Sequence, residues 1–321
     1  MKKEALYFKD RIYGVAKIEE PVLIDLIKSP EVSRLQKINQ HGLPEKYLKM
    51  PGYSRYEHSL GVMLLLRNFG ASLTEQIAGL LHDVNHQAFS HLYEWVKGQQ
   101  YLENNPQDLQ DQELAGFIRN STLPEILNTH GYSVEDVTSH HKHTLLEQPS
   151  PQLCADRIDY TLRDLPAETA QTILQSLTVH NGRFINKDAA SALYFGNNFL
   201  DIQQNVSGSE QAAARYQLFV HAVRKAFTLG LLEESDFRTN DEQVLSKITD
   251  CNDPEINQIL SELTHDHIVL PRLHETVHVK YRRIDPQILH EGKLVPVSHF
   301  NPEFAHRLKL EEQRCYQGIL V

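Results

Sequence analysis

Two imidazoles and a carboxylate stand close together in the first third of the chain: His58, and then the adjacent pair His82-Asp83. Ligands of this intermediate hardness suit Mn, Fe, Co, Ni or Zn, leave Mg within reach, and fit Ca poorly. The pair directly follows Ala78-Gly79-Leu80-Leu81, an apolar run whose end should be buried. A His and an Asp there need compensation, and a bound cation supplies it. A second polar stripe lies in Cys154-Ala155-Asp156-Arg157-Ile158-Asp159-Tyr160-Thr161-Leu162-Arg163-Asp164. Asp156, Tyr160 and Asp164 recur at i, i+4 and i+8, so they share one helix face beside an apolar Ile158/Leu162 stripe. The spacing admits either Asp156 or Asp159 as a further ligand.

Helices are needed to carry these groups, and the pattern supplies them. Residues 1–175 read as helices joined by short polar breaks. Ser29-Pro30 favours a helix start, and Gly42-Leu43-Pro44 with Met50-Pro51-Gly52 brackets a loop. The periodicity predicts helices over 56–67, 73–83 and 156–165. Asn181-Gly182 between two β-prone triplets predicts a hairpin near 177–186. Helices resume over 211–232 and 240–263. The tail from about 268 mixes β-prone runs with prolines. The expected fold is mainly α: a helical body over 1–265 that includes the hairpin, and a small α/β extension over 266–321 packed on it.

The composition, 40% hydrophobic and 23% charged over 321 residues, is that of a globular chain able to bury a large core. A net charge of -10 argues against a grip on a nucleic-acid polymer, while a small anion can still meet a local basic pocket. Cys154, Cys251 and Cys315 are too scattered for a disulfide framework or a thiolate zinc site. No apolar run reaches the roughly 18–20 residues of a membrane span, and the polar start Met1-Lys2-Lys3-Glu4 leads into no signal-peptide run. The expected location is the cytoplasm, without a membrane partner.

Three blocks occur in order. They are Arg55-Tyr56-Glu57-His58-Ser59-Leu60-Gly61-Val62, His82-Asp83-Val84-Asn85-His86-Gln87-Ala88-Phe89-Ser90-His91, and Asp156-Arg157-Ile158-Asp159-Tyr160 with Arg163-Asp164. Together they resemble the HD-domain dNTP triphosphohydrolases, the family of the human SAM-and-HD-domain enzyme and its bacterial relatives. The likeness starts near Asp10 and reappears in Arg34-Leu35, Ile38, the hairpin, Tyr216-Gln217 and Tyr281-Arg282-Arg283-Ile284-Asp285-Pro286. It implies an HD-domain helical bundle and one divalent ion on His58, His82, Asp83 and Asp156. It implies phosphate contacts from Arg55 and Arg157, and sugar contacts from Tyr160 and Asp164, with Gln40, Tyr216 and Gln217 as further substrate contacts. His86 and His91 would reach the phosphate and the leaving oxygen, Glu94 would orient His91, and water would attack phosphorus with His91 as the general acid. Relatives of this kind tend to be homo-oligomers.

The likeness breaks at four places. An additional active-site His of the family corresponds to Gln112, followed by the retained Glu113. The arginine that grips a terminal phosphate corresponds to Gly208. The residues that read a guanine activator correspond to Lys28, Ser33 and Gln36. Finally, Ser139-His140-His141-Lys142-His143 lies where two-metal HD proteins place a histidine pair. The leading expectation is therefore a nucleotide phosphohydrolase acting on (deoxy)nucleoside tri-, di- or monophosphates. A phosphodiester or alarmone hydrolase, and a catalytically weakened nucleotide sensor, are the alternatives.

Overall fold

The computed structural model describes residues 5–97, 109–270 and 273–321, without the side chains of 109–112 and 140. The architecture is a mainly helical bundle with small β-sheets and a C-terminal α/β region. No helix among the described residues is long and apolar enough to cross a membrane.

The helix Arg55–Asn68 runs through the middle of the body. Ser54 starts it with a capping box: its Oγ accepts from Glu57 N at 3.2 Å, and Glu57 Oε2 accepts from Ser54 N at 2.8 Å. Such a cap is worth about 1 kcal/mol. Leu60 to Leu66 are buried on all sides, so this helix has no solvent face to speak of. The helix Leu73–Leu81, capped by Ser72, packs along it. Gly79 permits the approach, since a Cβ there would meet Val62 at 3.2 Å. The helix Ala155–Asp164 lies against the other side of Arg55–Asn68. Here Gly61 is required, because a Cβ would collide with the Arg163 guanidinium and the Asp159 carboxylate.

The expected hairpin is present, with Leu177–His180 antiparallel to Arg183–Asn186. Asn181 and Gly182 sit at positive φ of 49° and 70°, the geometry this turn needs. The hairpin does not stand alone. Asn186 pairs in parallel with Ile288 of the strand Gln287–His290, which pairs in turn with Lys293–Pro296. The C-terminal residues thus extend a sheet begun some hundred residues earlier. They also pair Thr276–Val277 with Ile319–Leu320.

An N-terminal hairpin, Leu6–Asp10 with Gly14–Ile18, departs from the all-helical expectation for the first 175 residues. Its turn contains no Asn-Gly. Asp10 Oδ1 closes it instead by accepting from the amides of Ile12 at 2.7 Å and Tyr13 at 3.0 Å, which no hydrophobic pattern announces.

Candidate metal centre

Three helix segments bring the donors together. His58 sits one turn into Arg55–Asn68, fully buried. His82 and Asp83 occupy the turn after Leu81, where the helix stops two residues earlier than the sequence pattern implied. Asp156 lies in the first turn of Ala155–Asp164.

Their polar atoms face one another. His58 Nε2 is 3.0 Å from Asp156 Oδ1 and 3.3 Å from His82 Nε2. His82 Nε2 is 3.7 Å from Asp156 Oδ1. Asp83 closes the group, with Oδ1 3.6 Å from His82 Nε2 and Oδ2 3.7 Å from His58 Nε2. A cation bound through bonds of about 2.1 Å holds neighbouring donors roughly 3.0–3.4 Å apart, so the His58–Asp156 and His58–His82 separations match a shared ion, while those to Asp83 and between His82 and Asp156 are a few tenths of an ångström wider. Among the described residues, His58, His82 and Asp156 form one cluster whose ligand atoms all lie within 4.8 Å of one another, and Asp83 stands just outside it.

Charge makes the same point. Burial opposes the charged forms of both imidazoles, yet the carboxylates overcome it: Asp156 and Asp159 raise the pKa of His58, and Asp83 with Asp156 push that of His82 up to about 10. Burial likewise opposes ionisation of Asp83 and Asp156. Arg55 and His82 nevertheless hold Asp83 well below the usual carboxylate range, and His58 and His82 hold Asp156 below it. Two protonated imidazoles facing each other at 3.3 Å are a poor arrangement, and one divalent cation supplies the same charge without it.

A surrounding ring of contacts fixes the donors. His58 Nδ1 lies 2.8 Å from Asp159 Oδ2, leaving Nε2 to face the cluster, and His82 Nδ1 lies 2.8 Å from the Gly79 carbonyl. Asp159 also accepts from Arg163 Nε at 2.8 Å and from the Tyr13 hydroxyl at 2.7 Å, while Arg163 reaches Asp10 at 2.8 Å. The N-terminal hairpin therefore buttresses the centre from behind. Arg55 donates to Asp83 Oδ2 at 2.5 Å and to Ser90 Oγ at 2.9 Å.

In front of the cluster opens a cavity of about 840 Å³, into which His82, Asp83 and Asp156 face. Residues 55–164 match the family model described as the HD domain. The uncharacterized protein YdhJ of Bacillus subtilis is 34% identical over 97% of each chain. The metal-dependent phosphohydrolase cns2 of Cordyceps militaris is 30% identical over 91% of this chain and 87% of its own. The chain belongs to the HD-domain metal-dependent phosphohydrolases. Within that superfamily, the deoxynucleoside triphosphate triphosphohydrolase SAMHD1 of Danio rerio is 32% identical over 42% of this chain and 22% of its own length. The fold recurs in a phosphohydrolase from Bacteroides thetaiotaomicron, with a TM-score of 0.65 at 16% identity, covering 94% of this chain and 95% of that one.

The HD-domain cavity gathers most of the residues singled out in the sequence. Gln40, Arg55, His86, His91, Arg157, Tyr160, Asp164 and Tyr216 all line it. Gln217 does not. Its amide donates to Glu275 at 2.7 Å, away from the cavity. Glu94 sits behind His91, with Oε2 4.0 Å from Nδ1. His86 stands beside Asp83 at 3.1 Å, where burial and the Arg55 charge lower its pKa to about 3. Arg157 ties down the neighbouring loop, donating to the carbonyls of Gln148 at 2.6 Å and Gln152 at 3.0 Å and to Glu147 at 3.1 Å.

Gly208 offers the cavity no side chain, and a Cβ there would strike the Gln203 carbonyl. The side chain of Gln112 lies outside the described residues, as does that of His140. His141 lines the cavity, and His143 is tied to the Asp136 carbonyl at 2.8 Å. Neither joins a cluster of metal donors among the described residues. A second donor group, Glu147, Cys154 and Asp156, already holds a cation in the Arg157 guanidinium, 3.3 Å from Cys154 Sγ.

Several cavity residues carried no sequence signal of their own. His41 and Tyr53 come from irregular segments near the Gly42 turn, and Lys280, Arg282 and Arg283 from the tail. Arg282 and Arg283 stood only inside a stretch of family likeness, and Lys280 only in a β-prone run before it.

Proposed function

We propose that this chain hydrolyses a small nucleotide at the phosphorus next to the sugar, using one divalent ion held by His58, His82, Asp83 and Asp156. The observation that carries this reading is the layout of one helix. Asp156, Tyr160 and Asp164 all line the cavity from Ala155–Asp164. At 1.5 Å rise per residue, Asp164 lies about 12 Å along the axis from Asp156. A phosphate at the donor cluster therefore places its attached sugar toward Tyr160 and Asp164.

A divalent ion bound there acidifies water and polarises a phosphoryl oxygen. The remaining work falls to side chains. Arg55 keeps Asp83 ionised and aimed, and its buried charge attracts the phosphate. Arg157, Lys280, Arg282 and Arg283 give the cavity wall a cationic character in an acidic protein. His91 donates the proton that the departing oxygen needs, with Glu94 within a small shift of its other nitrogen. Arg157 fills the Glu147/Cys154 group with its guanidinium, so that group does not supply a second ion site.

The test is a panel of nucleoside mono-, di- and triphosphates incubated with Mn, with products resolved by chromatography. Release of the phosphate chain from the sugar is the expected result. Cleavage confined to phosphodiesters, or no cleavage of any nucleotide, would contradict the reading.

A further inference from the structure

Opposite the donor cluster, His41 is held with unusual thoroughness for a loop residue. Its amide donates to Asn39 Oδ1 at 2.8 Å, and its carbonyl accepts from the Tyr216 hydroxyl at 2.6 Å. The Tyr53 ring meets its imidazole edge-on, with centroids 5.3 Å apart. The next residue, Gly42, has φ +80°, and a Cβ there would lie 2.7 Å from the Phe89 carbonyl oxygen. Everything about the turn fixes where His41 points.

It points at Asp164. Nε2 stands 3.2 Å from Asp164 Oδ1, with both side chains only 9% exposed, but the alignment is not that of a hydrogen bond and the buried nitrogen makes none. Gln40 Oε1, in the same cavity wall, is also buried without a hydrogen bond. Buried polar atoms in a folded protein are satisfied, and those left unpaired in a cavity wall are completed by water or by a ligand that displaces it. An ionised carboxylate and an amide oxygen only accept. Two acceptors need two donors, and one hydroxyl has a single O–H. A vicinal diol supplies one O–H to Asp164 and one to Gln40, and its oxygen lone pairs can accept from an N–H at His41 Nε2.

We infer that the substrate's sugar is a ribose bearing hydroxyls on both C2′ and C3′, and that His41 is the residue which makes the site demand the pair. The inference rests on the nucleotide reading above and narrows it. A deoxyribose would leave a buried polar group unsatisfied at a cost of about 1–3 kcal/mol, roughly 5- to 150-fold.

The experiment measures kcat/KM for matched ribo- and deoxyribonucleotides of one base and one phosphate number, on the Mn-loaded enzyme. The wild-type chain is expected to prefer the ribonucleotide by about 10- to 100-fold. In His41→Leu, similar in size but without hydrogen-bonding atoms, the ratio is expected to collapse toward one. In His41→Gln, which keeps a donor and an acceptor, part of it should return. A ratio is insensitive to how much of a variant folds, and metal content per chain reports whether the donor cluster survives. A wild-type ratio at or below one, or a ratio unchanged in His41→Leu, would overturn the inference and leave the nucleotide reading standing. Turnover of neither series would sink that reading, and the inference with it.

Discussion

Asp159 faces His58 Nδ1, Arg163 Nε and the Tyr13 hydroxyl at once, so all of its strong contacts are inside the protein. Its effect on the ion is indirect: it holds the imidazole ring so that Nε2 points at the cluster. Asp159→Asn is expected to lower metal affinity about 10- to 100-fold, measured by competition with a chelating dye, while the fold remains. Unchanged affinity would show that His58 is held by packing alone. His91 is the contrasting case, because it lines the cavity and belongs to no donor cluster among the described residues. His91→Ala should keep its metal and lose roughly 10²–10⁴-fold in rate on a nucleotide. The loss should shrink on a p-nitrophenyl phosphate ester, whose leaving group departs without a proton, and equal losses on both would place the acid elsewhere. His58, His82 and Asp156, which the structure brings into one cluster, were named in the sequence through the family resemblance of the blocks that hold them. Asp159 was visible only as a rival of Asp156, since helical spacing cannot say which carboxylate faces the ion and which stands behind the histidine. His41 was invisible, because a loop residue has no period to betray it.

At the scale of elements, two loops must be held in register for the cavity to exist, and Asp241 does it. Oδ2 accepts from Asn39 N at 2.8 Å and Oδ1 from Phe89 N at 2.7 Å, joining the turn that carries Gln40 and His41 to the segment that carries His91. Burial pushes its pKa up to about 6, outweighing the two amides and the Arg55 and Arg34 charges that pull it down. The folded chain thus keeps a proton between about pH 4 and 6 that the unfolded chain, with an Asp near 3.9, has already released. This contribution to stability is full below about pH 4 and lost as pH rises through 6. Asp241→Asn has no such proton to lose, so the denaturation midpoint of the wild-type chain should fall relative to Asp241→Asn across that window. A difference that stays constant from pH 4 to 6 would contradict the assignment. Gly42→Ala, forced into positive φ against the Phe89 carbonyl, should destabilise by more than about 1 kcal/mol in the same assay. The central helices and the Asn-Gly hairpin were readable from caps, periodicity and turn chemistry. The N-terminal hairpin was not, because its turn depends on the Asp10 side chain. Nor was the union of the hairpin with Gln287–His290, a long-range pairing that no local pattern encodes.

Over the whole molecule, helices from the first half provide the donors, the N-terminal hairpin braces them, and the C-terminal segment closes the cavity with Lys280, Arg282 and Arg283. An ion that ties three helix segments together should also stabilise the folded chain as a unit. At a concentration about 100 times its Kd, Mn or Zn should add roughly 2.7 kcal/mol, seen as a rise in Tm. The chain is acidic, at -10, and the donor cluster concentrates buried carboxylates that a cation relieves. The central claim is that one ion sits between His58, His82, Asp83 and Asp156 and is required for hydrolysis. Elemental analysis of metal per chain, run beside nucleotide hydrolysis on the wild-type protein, His82→Ala and Asp156→Ala, tests it most directly. One ion per wild-type chain, with both ion and activity lost in each variant, is the predicted result. Full metal content in either variant, or two ions in the wild-type chain, would contradict it.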